Sequence, residues 1–157
     1  MLGSEIIADA DVRVPKVFDT NQKLTWLNEV HNEFFEVVKI PATATFTTAS
    51  GQDSYTLTGP IRARNIVEVM VGTERYRSIL FDQALLPGFN YYDFDESTGT
   101  LKLLPAPSRT GLPGRVRYYR VPETVFPAAN YTYVEPDAPR EFHWVYVAGL
   151  CARIAKA

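Results

Sequence analysis

Cysteine is nearly absent from this chain. Cys151 is the only one, which excludes an internal disulfide and a Cys-rich zinc site. Histidine is scarce as well. His31 and His143 stand alone, and a zinc site using them would need Asp or Glu ligands at no recognisable spacing. Each therefore reads as a core or interface histidine. A basic excess is also lacking: 16 Lys and Arg face 18 Asp and Glu, for a net charge of −2, which argues against a dedicated nucleic-acid binder. No apolar run reaches the ~18 residues of a membrane helix, and Met1–Ala10 lacks the basic and apolar regions of a signal peptide. A soluble protein of a reducing compartment is expected. What is plentiful is 11 Pro, 9 Gly, 9 Tyr and 9 Phe among 157 residues, the composition of aromatic-rich strands separated by breakers. The length is that of a single domain (1–157) with one core.

The charge is unevenly spread. Residues 1–60 carry four basic and eight acidic groups, residues 61–120 nine and six, and residues 121–157 three and four. Residues 1–19 show no sustained period and read as an N-terminal arm or irregular first element. A helix is predicted over 20–40, with Asp19 as its N-cap. Leu24, Leu27, Val30, Phe34, Val37 and Val38 recur at helical spacing, and Pro41 stops the helix. Trp26 and Phe35 widen its apolar arc beyond one core-facing stripe.

The period then changes to two, and a β-rich insertion is predicted over 42–122. Alternation or β-branched enrichment marks seven short strands. They lie around Phe46, Tyr55–Leu57, Asn65–Val71, Arg75–Ile79, Asn90–Asp95, Thr100–Leu104 and Arg115–Val121. Phe81–Leu86 reads as one helical turn ended by Pro87-Gly88. A second helix is expected over 137–157, with Asp137 as N-cap and Arg153 and Lys156 in its last turn. Between Phe142 and Ala152 only His143 is conventionally polar, so this helix should be buried on all sides. The expected fold class is α+β: a helical bundle of N- and C-terminal helices carrying an inserted antiparallel β-sandwich or barrel-like domain.

No catalytic constellation emerges. Asp93-Phe94-Asp95-Glu96-Ser97-Thr98-Gly99 places oxygen ligands at positions one, three and five of a calcium loop. The sharpening Gly at position six is Thr98, however, and position twelve is Leu104, so a β-hairpin turn is the better reading. Arg115-Val116-Arg117-Tyr118-Tyr119-Arg120 alternates guanidinium and aromatic groups and reads as the wet or subunit-facing side of a strand. Gly111-Leu112-Pro113-Gly114 has neither the Lys nor the following helix of a phosphate loop. What survives is surplus apolar surface on both helices, the mark of a protein–protein interface. The candidate contact residues are Leu27, Phe34, Phe35, Phe142, Trp144, Tyr146, Val147 and Ile154. Phe142, Trp144 and Tyr146 are the expected anchors.

Three stretches carry a resemblance: Ser50-Gly51-Gln52-Asp53-Ser54-Tyr55-Thr56-Leu57, Ile66-Val67-Glu68-Val69-Met70-Val71-Gly72 and Thr100-Leu101-Lys102-Leu103-Leu104-Pro105-Ala106-Pro107. With Val116-Arg117-Tyr118-Tyr119-Arg120-Val121-Pro122 and the Ala-rich C-terminal helix, their order over residues 20–157 resembles tailed-bacteriophage head–tail connector proteins, or adaptors. The resemblance implies a structural protein of the virion neck, made in the host cytoplasm, without catalysis, cofactor or metal. It implies a homo-oligomeric ring, commonly of twelve subunits, docked on the portal protein. The ring's far side would carry a stopper or tail-completion protein, and DNA would pass through the lumen without specific binding during ejection. The nine basic residues of the β region would then mostly avoid the lumen. The competing class is a monomeric β-sandwich binding module that presents tyrosines to carbohydrate on one strand face.

Overall fold

Leu24, Leu27, Val30 and Phe34 fall on one side of a 3.6-residue repeat, and all four are buried along the helix Thr20–Val37. In the computed structural model, which describes residues 1–79 and 85–157, this is the second of three helices: α1 (Gly3–Arg13), α2 (Thr20–Val37) and α3 (His143–Lys156). They belong to one compact unit, residues 1–38 with 121–157, while residues 39–120 form another. Each has buried apolar residues of its own, and those of the β region gather on its inner face.

The N-terminal segment is corrected from an arm to helix α1. Its period is weak because Ser4, Asp9 and Asp11 interrupt it. Ile6, Ile7 and Ala10 are nonetheless buried, and α1 packs along α3. Lys23 of α2, itself buried, reaches Asp11 of α1 with Nζ–Oδ2 at 2.8 Å. Tertiary packing outweighs the weak local pattern here.

The C-terminal helix also differs from expectation. It begins at His143, six residues after Asp137, following a short 3-10 turn at Arg140–Phe142. Asp137 does not cap it, since its carboxylate is engaged elsewhere. Nor is the helix buried all round. His143, Tyr146, Val147, Leu150 and Ile154 face the core, whereas Trp144 is 65% exposed.

In the other unit seven strands form one sheet: β1 (Pro41–Thr47), β2 (Ser54–Thr56), β3 (Ile66–Val71), β4 (Glu74–Ser78), β5 (Tyr91–Asp95), β6 (Thr100–Leu104) and β7 (Pro113–Tyr119). The order is β1-β7-β3-β4-β5-β6-β2, curled toward a barrel so that Phe46 of β1 and Tyr55 of β2 bring their rings to 4.6 Å. Val69, Val71, Tyr76, Tyr92, Phe94, Leu101, Leu103, Val116 and Tyr118 fill the inside. All pairs are antiparallel except β4–β5, which is parallel and corrects the all-antiparallel expectation. A parallel pair needs a connection of about a dozen residues, and residues 79–90 supply that length. The helical turn expected over Phe81–Leu86 falls mainly on residues 80–84, outside the described residues.

Gly114 of β7 lies opposite Phe46, and a Cβ there would enter the Phe46 ring. Gly114→Ala is expected to destabilise the β unit by about 1–3 kcal/mol. The combined Gly114→Ala, Phe46→Leu variant should recover part of that loss. Denaturant unfolding read by tyrosine fluorescence checks both, and a neutral Gly114→Ala would contradict this packing.

Candidate assembly surface

The helical unit is closed by the strap of residues 121–142, and Asp137 is the centre of that closure. Its carboxylate accepts the Glu123 and Thr124 amides, each at 2.7 Å, and the Thr124 hydroxyl. It also accepts His31 Nε2 at 3.2 Å. A carboxylate of this kind only accepts, so Nε2 carries the proton and Nδ1 accepts the Tyr146 hydroxyl at 2.8 Å. Asn28 fastens the strap a second time. Its side chain accepts the Phe126 amide at 2.8 Å and donates to the Phe126 carbonyl at 3.2 Å.

Burial raises the Asp137 pKa, but the bonds from Thr124, Glu123 and His31 together outweigh it and leave the carboxyl below its ordinary range. Burial lowers the His31 pKa, only partly opposed by Asp137, and pushes the Tyr146 hydroxyl up. A Tyr–His–Asp line has the order of a proton relay. Here Tyr146 and His31 are 0% and 1% exposed, so no substrate reaches them. The arrangement locks the strap to α2 and α3. His143 is equally occupied, donating Nε2–H to the Ala138 carbonyl at 2.9 Å.

Leu27, Phe34, Phe35, Tyr146, Val147 and Ile154 are all buried in this unit's own core. Of the eight candidate contact residues, Phe142 and Trp144 keep substantial accessible surface, and Phe34 and Val147 still line the floors of the grooves beside them. Phe142 is half-buried against Phe34, with ring centroids 5.7 Å apart. Trp144 stands on a ridge between two grooves. One runs between α2 and α3 and is lined by Val37, Val38, Phe142, Val145, Ala148 and Ala152. The other lies between α1 and α3, with Val14, Ala148 and Cys151 along it. Val37 is 80% exposed at the mouth of the first groove.

Small residues let the helices meet closely beneath this surface. Gly149 faces Val30, and a Cβ there would come within 2.7 Å of Val30 Cγ1. Charge rims the groove: Arg153 pairs with Glu29 at 2.9 Å and with Glu33. An apolar floor with a charged rim is the anatomy of a protein interface. The sequence reading missed Val145, Ala148 and Ala152. The stripe Trp144, Ala148, Ala152 at four-residue spacing was the available signal.

In the β unit Asp93–Gly99 is the β5–β6 hairpin turn. The Asp95 carboxylate accepts the Ser97 amide and hydroxyl at 2.9 and 2.6 Å and the Thr98 hydroxyl at 3.0 Å. Among the described residues no group of three or more His, Cys, Asp or Glu is arranged to hold a metal ion, and no helix is long and apolar enough to cross a membrane. Tyr55, Tyr76, Tyr91, Tyr92, Phe94 and Tyr118 are all buried and Tyr119 is half-buried, so the strand tyrosines do not make the exposed platform a carbohydrate module needs.

A family model described as SU10 adaptor protein matches residues 1–157, the whole chain. No curated protein matches it.

Proposed function

The chain belongs to the SU10 adaptor protein family of phage adaptors, and from that premise we propose that it is the head-to-tail adaptor of a tailed-phage neck. Copies assemble side by side as a ring on the portal protein. The ring's far side carries the stopper or tail-completion protein, and DNA slides through the lumen without specific binding.

The observation that carries this reading is the exposed apolar ridge at Trp144, flanked by grooves, on a helical unit whose own core is already filled. A helical unit complete in itself has no internal use for a 65% exposed tryptophan. Head-to-tail contacts between unlike surfaces close into rings, and ridge and groove are unlike surfaces. The net charge of −2 suits a conduit, since phosphate affinity grows with the Lys and Arg presented to it.

Trp144→Glu is expected to leave the fold within about 1 kcal/mol of the parent, because the side chain is largely in water. It should weaken assembly at least thirtyfold, the loss of about 2 kcal/mol typical of a central aromatic anchor. Light scattering and electron microscopy of the chain mixed with its portal protein read this directly. Rings of Trp144→Glu formed as readily as the parent's would sink the proposal, as would tight duplex-DNA binding at physiological salt.

A further inference from the structure

The sheet of the β unit ends in two edges, and they are not alike. At its two ends the β1–β7 ladder is bonded through even-numbered β1 positions, Arg120 N to the Ile40 carbonyl and Thr48 N to the Leu112 carbonyl. By the two-residue repeat of an antiparallel ladder, Ala42, Ala44 and Phe46 face β7. The amides and carbonyls of Thr43, Thr45 and Thr47 face away from it. Among the described residues no other strand pairs with β1.

Natural edges are blunted by charges, proline, bulges or brevity, and of these β1 carries only a proline, Pro41, at its first position. β1 is seven residues long, Pro-Ala-Thr-Ala-Thr-Phe-Thr, without a charge, and runs in unbroken register with β7. The opposite edge, β2, is three residues long. Its outward Ser54 carbonyl is already taken by the Gln52 side-chain amide at 2.7 Å.

The neighbourhood of the open edge is basic. Thr43 lies opposite Arg117 and Thr45 opposite Arg115, on the solvent face. Both guanidinium groups share one carboxylate, Glu68, at 3.7 Å each. The threonines between them and the edge are short enough for an arginine to reach across. Beneath the edge, Ala42 and Phe46 remain half-buried, with the Phe46 ring already against Tyr55 of β2 at 4.6 Å, so one more strand on β1 would lie on the side where the β2 edge approaches.

We propose that the β1 edge accepts an extended segment of a partner protein as an eighth strand, one carrying carboxylates on the face it shares with Arg115 and Arg117. A second copy of this chain fits less well. Pairing β1 with β1 would set four guanidinium groups on one face with only threonines between, and β2 offers too short an edge. The proposal does not depend on ring assembly, which uses the helical unit.

The probe is the peptide acetyl-Thr-Glu-Val-Glu-Val-Glu-Thr-amide, titrated into the full chain and followed by amide NMR and hydrogen exchange. Exchange at Thr43, Thr45 and Thr47 is expected to slow at least about tenfold on saturation, as new ladder bonds form. Thr45→Pro removes one outward N–H without touching the β7 ladder, so it should keep the parent circular dichroism and lose the peptide. Arg115→Ala with Arg117→Ala leaves the backbone intact and should weaken binding about tenfold through lost charge pairing. Three results would overturn the proposal. These are no protection at millimolar peptide, equal binding of the same peptide with Lys in place of Glu, and protection that rises with protein concentration alone, which would assign the edge to a second copy.

Discussion

Tyr146→Ala is expected to cost the helical unit about 3–5 kcal/mol, the range for emptying a buried aromatic site. Tyr146 is wholly buried. Its ring packs at a tilt against Phe34 at 5.6 Å and His31 at 5.4 Å, and meets His143 edge-on at 6.2 Å. The hydroxyl adds a separable part of the effect. Tyr146→Phe keeps the ring but leaves His31 Nδ1 without a donor, at a cost of about 1–3 kcal/mol. Trp26 and Trp144 both belong to this unit, so tryptophan fluorescence during urea unfolding reports on it selectively. A loss under 1 kcal/mol for Tyr146→Ala would refute the packing described. The contrast with Trp144 matters: two residues away on the same helix, an aromatic of similar size should matter to assembly and little to stability.

Asp137→Ala should be of comparable size, about 3–5 kcal/mol, because it removes the acceptor of the buried His31 and of the partly buried Thr124 groups. The Glu123 and Thr124 amides, the Thr124 hydroxyl and His31 Nε2 would all lose their acceptor at once. The change also rewrites the pH dependence. His31 has a folded pKa below its ordinary 6.5, so the unfolded chain binds its proton first and stability falls as pH drops below about 6.5. Asp137 has a folded pKa below its ordinary 3.8. Its contribution is complete above that value and lost as pH falls through the lower, folded one. Acid unfolding of the parent should therefore show a shallow loss from about pH 6.5 and a steeper one below about pH 4. The second phase should shrink in Asp137→Ala, leaving the part carried by Asp95, whose carboxyl the Ser97 and Thr98 bonds also hold below its ordinary value. Superimposable acid profiles for the two proteins would remove Asp137 from the centre of the strap.

Much of the secondary structure was legible because its signals are local. The stripe Leu24–Phe34, the alternation around Phe46, Tyr55 and Tyr118, and the Asp95–Gly99 turn each appear within a few residues. The seven-strand count followed from the same signals. α1 was not legible, since its weak pattern becomes a buried face only against α3, more than a hundred residues away. The parallel β4–β5 pair escaped for a related reason: alternation reports which face is apolar and says nothing of strand direction.

The candidate surface was half legible. Surplus apolar residues on both helices announced that something beyond one stripe needed cover. Six of the eight candidate contact residues are buried within the helical unit, because α1 and the strap cover them internally. Asp137 read as a cap by position, yet its carboxylate is drawn to Thr124 and His31, which lie in other segments.

The sequence by itself thus determined α2, the seven strands and the C-terminal helix, their order and the lack of motif chemistry, since periodicity, turn residues and composition act over a few neighbours. The tertiary structure decided which apolar faces stay open, Trp144 among them, and which polar groups are consumed inside. Burial depends on partners that only folding brings together, and no local window contains them.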